Sequence, residues 1–182
     1  VMLNRPFKNG LLLRGSYTLG KTLNMTDDDG TAGFDYNAPD VFGRNYAPAG
    51  FDRRHTFTLA STYQLPFGSG SSSLLNELVR GWQINGTLAA YTGTPFTVTA
   101  SNTALDQRGN LQTGDLVGEV KSGGEVGADN PYYDPTAWAN VTTQRYGNTG
   151  RNQFYGPGFW NVNLSVFRTF AMPGRSRLQF KA

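Results

Sequence analysis

The sequence predicts an all-β fold: an antiparallel transmembrane β-barrel fragment of about five strands from a larger barrel. Three observations carry this. Four stretches alternate apolar and polar residues, and a fifth begins near the end of the chain. The connections between them run long, short, long, short. No segment approaches the roughly 18 consecutive apolar residues of a membrane helix, so any passage through lipid is made by strands.

The first stretch covers residues 11–22, with Leu11, Leu13, Gly15, Tyr17 and Leu19 on one parity and Leu12, Arg14, Ser16, Thr18 and Gly20 on the other. Successive side chains of a strand point to opposite faces, so this spacing makes one face apolar and the other polar. The second, 55–65, sets Phe57, Leu59, Tyr63 and Leu65 against Thr56, Thr58, Ala60, Thr62 and Gln64. The third, 82–92, sets Trp82, Ile84, Gly86, Leu88 and Ala90 against Gln83, Asn85, Thr87 and Ala89. The fourth, 159–170, sets Trp160, Val162, Leu164 and Val166 against Asn161, Asn163, Ser165 and Thr169. The fifth, 176–182, is still alternating at Ala182, so the chain is expected to be a piece of a longer protein.

Residues 22–54 and 93–158 are the long connections. The short ones open on Pro66-Phe67-Gly68 and contain Pro173-Gly174, both turn-forming combinations. Compact soluble domains rarely carry their long connections on one side only, whereas outer-membrane barrels have short periplasmic turns and long extracellular loops. The long segments are therefore expected outside the cell, and the first, third and fifth strands are expected to rise from the periplasm. On the apolar parity, Tyr17, Phe57 and Trp160 fall near the outer ends and Tyr63 and Trp82 near the inner ends, as girdle aromatics should. Two residues break the pattern. Arg168 follows Val166 on the lipid-facing parity, and Phe167 interrupts the polar face.

A soluble antiparallel sheet with one face on a core alternates in the same way, and a soluble or surface-attached β-sandwich that binds carbohydrate or mediates adhesion is the alternative. Against it, the polar parity of the second and third strands holds Thr, Gln and Asn with no Lys or Glu, and no second sheet or long helix is evident to cover the apolar face. The segment 74–79 could form one short amphipathic turn, too little for that purpose.

With 16 basic and 13 acidic residues the net charge is +3, and the basic residues are scattered, so no nucleic-acid partner is expected. Zero cysteines exclude disulfides, thiolate metal sites and a thiol nucleophile. His55 is the single histidine, and there is no Gly-x-Ser-x-Gly, phosphate loop or paired-carboxylate signature, so neither enzyme activity nor a cofactor is expected. Asp27-Asp28-Asp29-Gly30 lacks the spacing and trailing Glu of a calcium loop and reads as a solvated loop tip. Asp52-Arg53-Arg54-His55, where the first long loop meets the second strand, reads as an ion-pair network or interfacial anchor. Gln83, Asn85, Asn161 and Asn163 fall on the lumen-facing parity, where bonding to a plug or to neighbouring strands outweighs a passage-lining role.

Six segments taken together carry a resemblance: Phe51-Asp52-Arg53-Arg54-His55, Leu65-Pro66-Phe67-Gly68, Gly81-Trp82-Gln83-Ile84-Asn85-Gly86, Thr92-Gly93-Thr94-Pro95-Phe96, Gly147-Asn148-Thr149-Gly150-Arg151-Asn152, and Gly156-Pro157-Gly158-Phe159-Trp160-Asn161-Val162 with Leu164-Ser165. In order and spacing the chain resembles the C-terminal barrel region of Oar-like TonB-dependent transporters. The resemblance implies a barrel of about 22 strands in the outer membrane, closed by a plug. It further implies uptake of a bulky solute driven by the TonB-ExbB-ExbD complex. The expected partners are outer-membrane lipid, the plug and remaining strands of the same chain, that complex, and an unidentified solute. Within loop 93–158, Tyr132, Tyr133, Trp138, Tyr146, Phe154 and Tyr155 are suited to stacking on sugars or other flat ligands, with Tyr132, Tyr133, Trp138 and Tyr155 the candidate ligand-binding residues, although the same rings could simply pack the loops together.

Overall fold

The computed structural model describes all residues except 28–35, 67–79, 102–104, 106–111, 123–125, 128, 173 and 175. Asp28, Asp29 and Gly30, the Phe67-Gly68 part of the second turn, segment 74–79, and Pro173 thus lie outside the described residues. The strands are β1 (Met2–Lys8), β2 (Leu11–Leu19), β3 (Leu23–Asn24), β4 (Ala47–Pro48), β5 (His55–Gln64), β6 (Trp82–Tyr91), β7 (Pro95–Phe96), β8 (Asp115–Leu116), β9 (Trp138–Ala139), β10 (Phe154–Tyr155), β11 (Phe159–Ala171) and β12 (Arg177–Lys181). The chain divides into two compact units, one of Val1–Leu19, His55–Tyr91 and Phe159–Ala182, the other of Gly20–Arg54 and Thr92–Gly158.

The first unit is a six-stranded antiparallel sheet in the order β1-β2-β5-β6-β11-β12. Each long strand pairs with the long strand that follows it in sequence, the up-and-down pattern of a barrel wall. The ladders are in register by parity. Tyr17 stands opposite Phe57, Phe57 opposite Ala90, and Ala90 opposite Trp160. A lower row runs Gly15, Leu59, Leu88, Val162. One residue along, Ser16, Thr58, Ala89 and Asn161 form a row of the other face. A slip of one residue anywhere would carry a strand's apolar set to the polar side, so the shared parity pins the register.

β1 is not announced by alternation. Pro6 and a register shift between Arg5 and Lys8 interrupt its period. What forms it is the turn: Asn9 and Gly10 adopt φ of 52° and 78°, the left-handed pair that a two-residue hairpin of matching twist demands. A side chain at Gly10 would also meet the Gln64 carbonyl oxygen at 2.8 Å. β2 ends at Leu19, before the alternation does, because the Gly20 amide turns to the Arg54 carbonyl and the Thr22 amide to the Asp52 carboxylate.

No apolar side chain of this sheet is buried among the described residues; the buried apolar residues Tyr36, Ala47, Ala49, Leu105, Ala137, Val141 and Phe154 all belong to the second unit. Trp160 and Leu164 are each 71% exposed on the apolar parity. A soluble sandwich buries that face, whereas a barrel presents it to lipid. The two residues that break the pattern have local partners. The Arg168 guanidinium lies 4.2 Å from the Phe170 ring centre and 5.5 Å from that of Trp82. On the polar face, Phe167 stands opposite Lys181, whose ammonium lies 5.3 Å from its ring.

Candidate functional site

The second unit is built from the two long connections and has little regular structure, so polar side chains do the work of strand ladders. Its organising segment is Gly147-Asn148-Thr149-Gly150-Arg151-Asn152. The Arg151 side chain is 3% exposed. Its Nη1 donates to the Asn45 and Asn24 carbonyls at 2.8 and 3.2 Å; its Nη2 donates to Asn24 Oδ1 at 3.0 Å and pairs with Asp27 Oδ2 at 2.6 Å. Asn152, in the left-handed region at φ 50°, donates through Nδ2 to Asp27 at 2.6 Å and to the Pro48 carbonyl at 2.8 Å. Its backbone amide donates to Thr97 Oγ1.

The neighbouring residues tie down another part of the same unit. Asn148 clamps both backbone groups of Leu116, donating from Nδ2 to its carbonyl and accepting its amide at 2.6 Å. Thr149 Oγ1 donates to the Gly114 carbonyl at 2.7 Å. Gly147 leaves no room for a side chain, because a Cβ there would stand 2.1 Å from the Thr113 carbonyl oxygen. Tyr36, fully buried, donates its hydroxyl to the Thr149 carbonyl at 2.9 Å, and Asn45 clasps the Tyr36 backbone from both sides.

Burial opposes the charge of Asp27, but hydrogen bonds from Asn24, the Gly50 amide, Asn152 and Arg151 outweigh it and hold the carboxyl below its ordinary range. Asp115 is held low chiefly by its hydrogen bonds from Arg145, with burial opposing and the Asn148 amide helping. The Arg145 fork is bidentate, at 2.9 and 2.6 Å.

Of the candidate ligand-binding aromatics, Tyr132, Tyr133 and Trp138 come together. Tyr133 meets Tyr132 edge-on at 4.7 Å and Trp138 at 5.8 Å, and Trp138 meets Phe154 at 5.2 Å. Pairing of β7 with β10 brings Phe96 opposite Phe154 and completes the group. Tyr155 contributes its carbonyl, which accepts the Tyr133 hydroxyl at 2.5 Å. Burial, with the adjacent Tyr132, pushes the Tyr133 phenol up. Phe96 is the member that sequence reading does not place with the others, since only the β7–β10 pairing joins it to them.

The four amides of the polar parity form two pairs, each along its own strand. Gln83 Nε2 donates to Asn85 Oδ1 at 2.8 Å, and Asn163 Nδ2 to Asn161 Oδ1 at 2.7 Å. Asn163 also reaches Thr87 on the next strand. At the junction segment, Asp52 is 2% exposed and accepts the Thr22 amide, Arg53 donates to the Thr92 carbonyl, and His55 Nδ1 shares a 2.6 Å hydrogen bond with the Tyr17 hydroxyl. Among the described residues no group of three or more metal-ligating side chains is assembled.

An antiparallel sheet with one apolar face, no apolar core against it among the described residues, and its long connections at one end defines an outer-membrane β-barrel protein. The family model of the outer membrane beta barrel domain matches residues 1–182, and the chain belongs to that family. Its site of action is the bacterial outer membrane, with lipid against the apolar face. No curated protein matches the chain, and no solved structure does.

Proposed function

We propose that the chain is wall and outer loops of an Oar-like TonB-dependent transporter, taking a bulky solute inward across the outer membrane with energy relayed from TonB, ExbB and ExbD. The observation that carries this reading is the Gly147–Asn152 segment, whose residues in the resemblance are the ones that staple the long loops into one packed unit. A solute entrance needs loops held in a defined shape, and a wall alone does not. In this reading residues 22–54 and 93–158 face outside, and Tyr132, Tyr133, Trp138 and Tyr155 stand near the entrance. The Gln83, Asn85, Asn161 and Asn163 face looks toward a plug. No residue of the chain is assigned a catalytic role.

The test is retention of a purified TonB C-terminal domain by the full-length protein in detergent. Retention is expected, and its loss on deleting the N-terminal segment that docks TonB is expected too. A full-length protein that migrates as a heat-modifiable barrel yet never retains TonB would remove the energised-transport reading and leave the barrel.

A further inference from the structure

Within the loop unit lies a cleft of about 530 Å³, a volume typical of small-ligand sites. Its apolar lining comes from Ala38, Val41 and Leu105, with the half-buried Tyr146 beside them. Tyr146 is fixed by an edge contact to Tyr36 at 5.3 Å and by the Asn37 backbone. The polar lining is Asp40, Arg44, Gln144 and Arg145.

We propose that this cleft binds a short, uncharged oligosaccharide; the proposal rests on the transporter reading for its role as a solute subsite, though not for binding itself. The charges argue against an anion. Arg145 is neutralised by its two-pronged bond to Asp115. Arg44 donates Nη1 to the Gly147 carbonyl at 3.0 Å and lies 5.8 Å from the Tyr36 ring centre. Asp40 adds a negative charge at the rim, so the cleft has no surplus of positive charge to hold a carboxylate or phosphate.

The groups left over suit hydroxyls. Nη1 of Arg145 is spent on Asp115 and the Tyr146 carbonyl, and one Nη2 hydrogen on Asp115; this leaves its Nε–H and a second Nη2–H as donors. The Gln144 amide supplies both donor and acceptor, and the Asp40 carboxylate supplies strong acceptors. Sugar hydroxyls are donors and acceptors at once, and the C–H faces of a sugar ring pack on apolar and aromatic walls. Acceptors, donors and an apolar wall with an anchored tyrosine are the mixture such a ligand requires.

The experiment is calorimetric titration of the detergent-solubilised full-length protein with maltotriose, cellotriose, xylotriose and the trimer of galacturonic acid. At least one neutral trisaccharide is expected to bind, more tightly than the acidic trimer. Asp40→Ala and Gln144→Ala, made separately, should each weaken it by about tenfold with heat-modifiable migration unchanged. Absence of binding by all three neutral probes overturns the proposal, as does tighter binding of the acidic trimer or an affinity in both variants unchanged from that of the parent. TonB retention is scored on the same preparation: retention without sugar binding removes only the cleft proposal, and sugar binding without retention removes only the transport reading.

Discussion

Arg151 Nη2 and Asp27 Oδ2 meet at 2.6 Å across two loops far apart in sequence, and the same guanidinium holds the Asn24 and Asn45 carbonyls. Replacing it strips partners from two carbonyls and from a carboxylate that keeps 35% of its side chain exposed. A fully buried pair broken on one side costs about 3 to 5 kcal/mol; the partial exposure of Asp27 lowers the expectation to about 2 to 3 kcal/mol. Arg151→Ala in the full-length protein should therefore accelerate tryptic cleavage at Arg53 and Arg145 while leaving heat-modifiable migration intact. Arg151→Lys should rescue little, since an ammonium cannot reproduce the planar fork. Unchanged cleavage rates would contradict the stapling role.

The same contact sets a pH limit. The folded-state pKa of Asp27 lies below its ordinary value of 3.8, so the stabilisation it brings is present above 3.8 and is lost as pH falls through the folded value. Asp115 has the same sign. Pepsin digestion, normalised to an unstructured substrate, should cut the loop unit faster at about pH 2.5 than at about pH 4. Asp27→Asn should shrink that difference. Equal normalised rates at the two pH values would show that neither carboxylate contributes.

The wall was legible in the sequence because its two faces meet different surroundings, and period two is the trace that leaves. His55–Gln64 and Trp82–Tyr91 follow it closely. β1 escaped because Pro6 and the bulge break the period, leaving Asn9-Gly10 as its signal. The loop unit obeys no period. Arg151 and Asn152 stand out as a motif, yet their partners Asn24, Asp27, Pro48 and Thr97 lie in segments that nothing local connects to them. Tyr132-Tyr133, Trp138 and Phe154 were visible as aromatics of one loop, whereas Phe96 joins them through a two-residue ladder too short to read. Asp40 and Gln144 belong to no motif, so the cleft is a product of folding alone.

Glycine positions separate close approach from open space. A Cβ at Gly147 would lie 2.1 Å from the Thr113 oxygen and 2.5 Å from that of Gly114, and one at Gly93 would lie 1.8 Å from the Gly156 oxygen. All three are backbone atoms that cannot rotate away. Gly147→Ala and Gly93→Ala should each cost more than about 3 kcal/mol in the loop unit, whereas Gly43→Ala, with nothing within 4 Å, should fall within about 0.5 kcal/mol of the parent. Hydrogen exchange of the loop amides reads the difference, and equal protection in the three variants would contradict the packing described.

Arg168 is tolerated on the lipid-facing parity because of its place and its cover. It stands opposite Trp82, the first residue of β6, and only 8% of it is exposed. Arg168→Ala should lower barrel stability by about 0.5 to 2 kcal/mol through loss of the guanidinium contacts with Phe170 and Trp82. Urea titration of the full-length protein in lipid vesicles, followed by tryptophan emission, measures it. A gain in stability would mean that the cation is a burden there.

Leu164 and Asn163 test the two faces directly. They are neighbours in β11, but Leu164 pairs with Gly86 on the apolar parity and Asn163 with Thr87 on the polar one. Both pairs fall well inside the strands, so an arginine on the lipid side would sit near the membrane interior. Leu164→Arg is therefore expected to cost about 2 to 4 kcal/mol in vesicles, and Asn163→Arg less than about 1 kcal/mol. The same asymmetry should recur in the adjacent exchange, with Val162→Arg costly and Asn161→Arg mild, because parity and not position along the strand governs the cost. If Asn163→Arg proved the costlier of the first pair, the lipid-facing side of this wall would be the reverse of the one assigned from its leucines.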